Sequence, residues 1–307
     1  MRGVLVALLS GLAAGCGLVS GLDDLNICAS CDAGSPDSST DAGGLDGALV
    51  VDASDAEAGG WSVTSVTGLA LWLNASVGVI TGTSQTSVAA WADQSGNHND
   101  ASQAIAGRQP TLNTSSINGL PAIHFAANVT GSTGNQLIVA DSTSLQWGTG
   151  GYYIAVVAKF DNKPTDGIVA ALGAFYVKST SSTTVAVALT GNVGGWGGNG
   201  ASAGFEAVVG TNLAMTPGPY NDGAPRLYAC RRVGTTLTPR LNGTPGTALP
   251  IPSIDVSAAG KRVEIGAFGD AANARLDGDI AEIIAVKDPS DADVADIEAY
   301  LMKRYGP

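Results

Sequence analysis

Short apolar runs separated by glycine, asparagine, aspartate, serine and proline fill the chain from Trp61 onward, and this pattern constrains the fold more than any other feature. Such runs with turn residues between them are typical of β-strands. Ten of them predict strands: Leu69 to Leu73, Ser87 to Trp91, Pro121 to Phe125, Tyr152 to Phe160, Ile168 to Val177, Thr183 to Leu189, Arg226 to Arg232, Leu237 to Leu241, Arg262 to Phe268 and Asp279 to Val286. Because no helical periodicity lies between these runs, we predict an all-β sandwich of about ten to fourteen strands.

Two segments add detail to this prediction. The run Tyr152 to Ala158 has no polar face, so it belongs in the middle of a sheet that is covered on both sides. The end of the sequence predicts one helix: Ser290 can cap it, apolar residues recur at helical spacing from Val294 to Leu301, and Gly306 can end it. We expect this short C-terminal helix to lie against the sandwich rather than to carry a site.

The first residues have the features of an export signal. Arg2 supplies a positive charge, Val4 to Leu9 form a short apolar core, and small residues precede Cys16. Such a core is too short to cross a bilayer as a permanent helix. The segment resembles a bacterial lipoprotein signal, which implies that residues 1–15 are removed and that Cys16 is acylated. An ordinary secretory signal, cut after a small residue, is the alternative.

In both cases the mature protein is exported. A lipid on Cys16 would anchor it to the bacterial cell envelope, with the outer membrane as the expected location. The lipid would then be the only contact with the membrane.

Residues 16–61 are predicted to form a disordered acidic tether. The segment from Asp32 to Gly60 consists mainly of Asp, Ala, Gly and Ser and cannot bury enough apolar surface to offset its chain entropy. Residues 17–61 carry nine acidic side chains and no Lys or Arg, whereas residues 62–307 carry 18 acidic and 14 basic side chains. The acidity therefore belongs mainly to the tether. The nearly balanced remainder has no basic stripe, which excludes nucleic acid as a partner.

The cysteines fall into two groups. Cys28 and Cys31 form a C-x-x-C pair in a segment expected outside the cytoplasm, and we predict a small disulfide loop. Zinc is disfavoured because no second ligand pair follows, and a redox role is disfavoured because no βαβ pattern surrounds the pair. Cys230 lies in a strand-like run and is predicted to be a buried thiol.

A family resemblance is carried by five motifs: LWLNAS at Leu71 to Ser76, AWADQSGNHNDA at Ala90 to Ala101, RQPT at Arg108 to Thr111, NGLPAIHF at Asn118 to Phe125, and LDGDIAEII at Leu276 to Ile284. Together with the C-terminal helix, they are similar to the LamG-like jelly-roll domains of the concanavalin A-like lectin/glucanase superfamily. The resemblance covers nearly all of residues 62–307. It implies a jelly-roll of two packed antiparallel sheets, with variable loops along one rim. Domains of this kind bind sugars, proteins or no known ligand, and some are catalytic.

Many relatives in this superfamily hold a structural calcium ion. The resemblance makes Asp93, Asp277 and Asp279 the candidate metal ligands. Ala281, however, stands where relatives often place an Asp. Since calcium takes about six to eight oxygen ligands, we expect no tight calcium site and no other cofactor.

The catalytic residues of known hydrolases are not evident. Residues 62–307 contain four Glu, and none lies in a Glu-x-Asp-x-x-Glu run. Strand alternation places Asp277 and Asp279 on one face and Glu282 on the other, so the paired carboxylates of a glycosidase are not expected. His98 and His124 are the only histidines, which leaves too few parts for a catalytic triad or a zinc protease. The sequence therefore predicts no enzymatic activity.

Two loops are candidate ligand sites. One contains Asn97, His98 and Asn99, for which turn formation is the alternative role. In the other, a glycine-rich loop, an exposed Trp196 beside Asn199 could stack on a sugar ring, or it could fold back onto the sheet. We expect a non-enzymatic lipoprotein that binds carbohydrate or another envelope or extracellular component. The alternative is a structural or adhesion module that contacts protein and has no sugar site. The sequence does not predict the oligomeric state.

Overall fold

A computed structural model describes residues 61–82, 84–127, 134–161, 172–179, 185–192, 204–217, 222–269 and 275–307. These residues all belong to one compact unit. The predicted signal, Cys16, the Cys28–Cys31 pair, the tether, and the loop with Trp196 and Asn199 lie outside the described residues, so they stay predictions. Within the described ranges, no helix has the length and apolarity needed to cross a bilayer.

The described residues form two antiparallel sheets of nine strands each, which confirms the predicted all-β sandwich. Sheet I contains β1 (Leu69–Asn74), β5 (Thr111–Ile117), β6 (Leu120–Phe125), β8 (Tyr152–Phe160), β13 (Arg226–Val233), β14 (Thr236–Leu241), β15 (Thr244–Pro245), β16 (Leu249–Pro250) and β18 (Gly278–Lys287). Sheet II contains β2 (Val79–Thr81), β3 (Val88–Trp91), β4 (Ala101–Ser102), β7 (Leu137–Val139), β9 (Leu172–Ser179), β10 (Val185–Asn192), β11 (Gly204–Gly210), β12 (Asn212–Pro217) and β17 (Val263–Ile265).

Strands β8 and β18 lie side by side at the centre of sheet I. Every β8 residue except Lys159 is buried, as its apolar sequence predicts. Side chains on one face of these strands, such as Ile154 and Ile283, join the core between the sheets. Those on the other face, such as Ala155 and Ile284, join a second core beneath the helix. Cys230 lies buried in the inter-sheet core as a free thiol, as predicted.

The predicted C-terminal helix is confirmed as α1 (Asp291–Tyr305). The Ser290 side chain accepts a hydrogen bond from the backbone of Asp293, and the Asp293 carboxylate accepts one from the Ser290 backbone. This reciprocal capping box starts the helix, and Gly306 ends it in the left-handed conformation. Apolar side chains of α1 cover the outer face of sheet I, which we call the helix-side face.

A β-bulge in β18 corrects one prediction. The pairing with β8 shifts register between Ile280 and Glu282, so two successive residues point to the same face. Ile280 and Ile283 lie in the inter-sheet core, whereas Ala281 lies in the core beneath α1 and Glu282 hydrogen-bonds to residues of α1. Simple alternation predicted that the side chains of Glu282 and Asp279 point to opposite faces of the sheet. The bulge brings both carboxylates to the helix-side face.

Candidate functional site

A pocket of about 550 Å³ opens on the helix-side face. Its walls come from the segment before β1, from β1 itself, and from the exposed side of α1. The lining residues are Trp61, Ser62, Val63, Trp72, Asn74, Val77, Gln94, Asp296, Ala299, Tyr300, Lys303 and Arg304. This volume falls in the range of about 300–1,000 Å³ that is typical of small-ligand sites.

Three aromatic side chains form much of the wall. Trp61, Trp72 and Tyr300 are each partly exposed. The rings of Trp61 and Tyr300 pack against each other with centroids 5.8 Å apart and planes tilted by 45°. The indole Nε1 of Trp72 donates a 2.6 Å hydrogen bond to the Oε1 atom of Glu282. The Trp72 ring is therefore held by its edge.

Polar and charged groups complete the pocket. Helix α1 contributes Asp296, Lys303 and Arg304 at helical spacing, of which Asp296 and Lys303 are exposed. The sheet side contributes the amides of Asn74 and Gln94. Hydrogen-bond donors and acceptors thus surround the aromatic wall, an arrangement that suits an amphipathic ligand.

Glu282 lies beneath the pocket and is fully buried. Its Oε2 atom accepts hydrogen bonds from the hydroxyls of Tyr305 at 2.7 Å and Tyr300 at 3.4 Å. Burial raises its pKa to about 7, although these bonds, the Trp72 bond and the nearby Arg304 oppose the rise. Glu282 therefore couples the sheet wall of the pocket to its helix wall.

A second polar cluster lies on the same face of sheet I. The Nδ1 atom of His124 lies 3.2 Å from Asp279 Oδ1 and 3.5 Å from Asp161 Oδ2. The hydrogen bond to Asp279 is the main reason that the pKa of His124 is raised. Ser116 and Lys159 contact the other oxygen of Asp279. We call His124, Asp161 and Asp279 the His124 cluster.

The loop that carries three predicted ligand residues packs along β1. The Nδ2 atom of Asn97 donates to Leu69 O at 2.8 Å, and that of Asn99 donates to Ala70 O at 2.7 Å. Asn99 is buried, whereas His98 is exposed and has a φ of 58°. The two amides are thus engaged with the chain's own backbone. Ligand contact by Asn97, His98 and Asn99 stays a prediction.

Asp93 closes the same loop. Its carboxylate accepts hydrogen bonds from Trp72 N, Ser95 N, Ser95 Oγ and Asn99 N at 2.7–2.9 Å. A carboxylate offers about four acceptor positions, so these bonds occupy all of them. Asp93 therefore does not fit as a calcium ligand in this conformation.

The three predicted metal ligands do not form one group. The described residues place Asp279 with His124 and Asp161 instead, and Asp93 is not part of that cluster. Asp277 lies near enough to act electrostatically on His124 and Asp161. Ala281 is buried and offers no side-chain oxygen. The described residues thus do not bring Asp93, Asp277 and Asp279 together as one set of side-chain ligands.

Sequence reasoning missed the pocket because its walls lie far apart in the chain. One signal was available. In β1 the apolar residues Leu71 and Leu73 point into the core, so alternation sends Trp72 outward. A half-exposed Trp on a strand next to a helix marks a surface concavity.

Comparison with protein-family models gives no match, and comparison with curated proteins gives none either. Solved structures with a similar fold do exist. The binding domain of the paraclostridial mosquitocidal protein 1 matches with a TM-score of 0.54 and 11% identity, over 78% of this chain and 53% of that one. Domain 4 of a GH43 extracellular arabinanase from Geobacillus stearothermophilus, in complex with arabinotriose, matches with a TM-score of 0.50 and 11% identity, over 75% of this chain and 98% of that domain.

An arabinofuranosidase complexed with arabinofuranosyl-α-1,2-xylobiose matches with a TM-score of 0.51 and 14% identity, over 71% of this chain and 51% of that one. The chain thus spans about half the length of the toxin domain and of the arabinofuranosidase. At these identities the likeness shows the β-sandwich fold alone.

These matches correct the prediction that the chain is not an enzyme. An arabinofuranosidase and a sialidase are among the solved structures with this fold, so the fold is found in glycosidases as well as in binding domains. The prediction also relied on Asp279 and Glu282 facing opposite ways, and the bulge in β18 removes that argument. The assignment as a non-enzyme is therefore withdrawn.

Proposed function

We propose that the pocket formed by β1 and α1 binds carbohydrate. The observation that carries this proposal is the combination of three partly exposed aromatic rings with amide and charged groups in one cavity of about 550 Å³. A sugar ring has an apolar face that packs on aromatic rings and hydroxyls that need hydrogen-bond partners. Trp61, Trp72 and Tyr300 supply the first, and Asn74 and Gln94 supply the second.

Pre-organisation favours binding at this pocket. The Trp72 ring is already held by Glu282, and Tyr300 contacts both Glu282 and Trp61. Fewer side-chain rotations are lost when a ligand enters a wall that is already fixed. The sugar complexes of the arabinanase domain and the arabinofuranosidase are in keeping with this ligand class.

The proposal includes export as a LamG-like lipoprotein of the cell envelope, anchored through Cys16. It rests on the N-terminal sequence pattern and on the motif resemblance. The test is detergent partitioning of the full chain and of Cys16→Ala. We expect the wild type in the detergent phase and the variant as uncleaved or soluble protein. An unmodified N-terminus on soluble wild type would remove the anchor.

A glycan array probed with the full chain tests the binding proposal. Trp61→Ala removes one stacking face and is expected to weaken binding by about tenfold or more. Lys303→Ala tests the helix wall, and Lys261→Ala, an exposed lysine outside the pocket lining, is its matched control. Loss of binding in the first two variants and retention in the control would support the pocket.

Two outcomes would overturn this proposal. If Trp196→Ala abolishes glycan binding while Trp61→Ala and Lys303→Ala bind normally, the site lies in the glycine-rich loop. A silent array together with a protein partner in crosslinking would favour the adhesion module instead.

A further inference from the structure

The His124 cluster is assembled from three adjacent strands of sheet I. Asp279 in β18 pairs with His124 in β6 on one side and with Lys159 in β8 on the other. Asp161 follows the last residue of β8. Because directly paired residues point to the same face, the sheet holds His124, Asp279 and Lys159 side by side. Asp161 is fixed next to them by the hydrogen bond from its backbone N to Asp277 O.

The spacing of the ligand atoms matches that of a coordination site. His124 Nδ1 lies 3.2 Å from Asp279 Oδ1 and 3.5 Å from Asp161 Oδ2, and one ligand atom from each residue fits within 4.8 Å of the others. Zinc bonds of about 2.0–2.2 Å place neighbouring ligands of a tetrahedral ion about 3.3–3.6 Å apart. The two shorter ligand–ligand distances in the His124 cluster, 3.2 Å and 3.5 Å, are at or close to that spacing.

The surrounding groups hold the carboxylates in orientation. The Oδ2 atom of Asp279 accepts a 2.8 Å bond from Ser116 Oγ and lies 3.0 Å from Lys159 Nζ. Lys159 Nζ also lies 4.0 Å from Asp161 Oδ1. All three contacts use the carboxylate oxygens that are not the ones closest to His124. Metal ligands commonly have such outer hydrogen bonds, and these leave the inner oxygens directed at the imidazole.

We propose that the His124 cluster binds a divalent transition-metal ion of the zinc type. His124 Nδ1, Asp279 Oδ1 and Asp161 Oδ2 are the three protein ligands, and the partial exposure of His124 and Asp161 lets water supply a fourth. Two carboxylates outweigh the single ammonium of Lys159, so the site retains negative charge. One nitrogen and two oxygen donors suit zinc, whereas calcium takes about six to eight oxygens.

This site is separate from the proposed sugar pocket, since none of its three ligands lines that pocket. It shares Asp279 with the calcium site that the resemblance implies, but its other ligands are His124 and Asp161 rather than Asp93 and Asp277. Among the described residues, it is the one group of three or more His, Cys, Asp or Glu side chains close enough to share an ion.

Isothermal titration calorimetry with zinc chloride tests the proposal. The protein is the full chain carrying Cys16→Ser, Cys28→Ser and Cys31→Ser, because thiolates of the N-terminal segment would also bind zinc. We expect one zinc ion per chain. His124→Gln and Asp161→Asn should each weaken binding by at least about tenfold, since loss of a ligand costs more than loss of an outer hydrogen bond.

The chain provides a matched control, since His98 is its only other histidine. His98→Gln should bind zinc as the parent protein does. Asp161 has a side chain that is 41% exposed, so Asp161→Asn is expected to fold even if a variant of the buried Asp279 does not. Circular dichroism confirms folding before each titration.

Absence of zinc binding by the parent protein would overturn the proposal. Unchanged binding by both His124→Gln and Asp161→Asn would overturn it as well, because the ion would then lie elsewhere. Equal loss in His98→Gln and His124→Gln would also count against it.

Discussion

Trp72 donates its indole N–H to Glu282 across 2.6 Å, from a pocket wall to a fully buried carboxyl group. A buried acid is costly to ionise, and the bonds from Trp72, Tyr300 and Tyr305 offset only part of that cost. The geometry of the pocket therefore depends on a group whose charge changes near neutral pH.

Glu282 predicts a dependence of stability on pH. Its pKa is about 7 in the folded protein and 4.5 as the ordinary value. The native state keeps this proton while the unfolded state releases it, so the contribution of Glu282 to the unfolding free energy falls as pH rises from 4.5 to 7. At 1.36 kcal/mol per pKa unit, the total is about 3 kcal/mol.

Glu282→Gln removes this ionisation but keeps a side chain of similar size. The unfolding free energy of the variant, taken relative to that of the wild type, should rise by about 3 kcal/mol between pH 4.5 and pH 8. Urea unfolding of both proteins across that range measures the difference. The groups that face Glu282 from β1 and α1, including Arg304, are the same in both proteins. Two stability curves that run parallel would contradict the prediction.

The capping box at the start of α1 predicts a modest loss of stability in Ser290→Ala. The side chain would no longer accept from Asp293 N, and such caps are worth about 0.5–2 kcal/mol. For a domain of this size, a loss of 1 kcal/mol lowers the melting temperature by about 2–4 °C. Ser290→Asp keeps an acceptor and should melt close to the wild type. A melt of Ser290→Ala that coincides with the wild type would show that the cap contributes nothing.

Gly266 and Gly119 have similar backbone angles, but replacing each with alanine is predicted to lower stability by different amounts. Gly266 has a φ of 85°, and a Cβ there would lie 2.0 Å from the buried ring of Phe125. Gly119 has a φ of 80°, with no atom within 4 Å of its Cβ position. Both alanine variants incur the strain of a positive φ, and overpacking adds about 1–3 kcal/mol in Gly266→Ala alone. In chemical denaturation, Gly266→Ala should therefore have a clearly lower unfolding free energy than Gly119→Ala. Equal losses of unfolding free energy in the two variants would refute the packing argument.

The four hydrogen bonds to Asp93 predict that this residue stabilises the edge of β1. Asp93→Ala leaves Trp72 N and Asn99 N without their acceptor, and hydrogen bonds to a charged group are worth about 1.5–3 kcal/mol. We expect a loss of this order in urea unfolding. Asp93→Asn keeps one acceptor oxygen and should lose less. A neutral Asp93→Ala would show that water replaces the carboxylate at no cost.

Calcium provides a separate test of the same residue. Because Asp93 already uses all its acceptor positions, melts in millimolar calcium and in chelator should coincide. A tight site would raise the melting temperature by several degrees, since a hundredfold excess of ligand over Kd adds about 2.7 kcal/mol. Such a rise, lost in Asp93→Ala or Asp279→Ala, would contradict the expectation.

Local sequence patterns predicted the regular elements well. The bounds of β8 match the prediction, and α1 begins and ends at the predicted caps, because burial and capping act on neighbouring residues. Strands β11 and β12 were not predicted. Gly, Ala, Asn and Pro, which are poor strand formers on their own, make up six of their 13 residues. Pairing along the sheet overrides that preference.

The candidate site was harder to predict. The bulge in β18 reverses the facing of Glu282, and no local residue pattern announces it. Trp61, Trp72 and Tyr300 meet only after α1 folds over β1, so their distance in sequence hides the pocket. Asp279 was predicted as a metal ligand but His124 was not, and their pairing depends on the register between β6 and β18. Sequence patterns alone do not specify that register.

The position of β18 has a consequence for the order of events in folding. This strand pairs with β8 along one edge and with β6 and β1 along the other. Sheet I therefore lacks its centre until residues 278–287 are available, and earlier segments cannot complete it on their own. Contacts so distant in sequence make folding slow. Sheet I can therefore be completed only after nearly the whole chain has been synthesised, because residues 278–287 lie close to its C-terminal end.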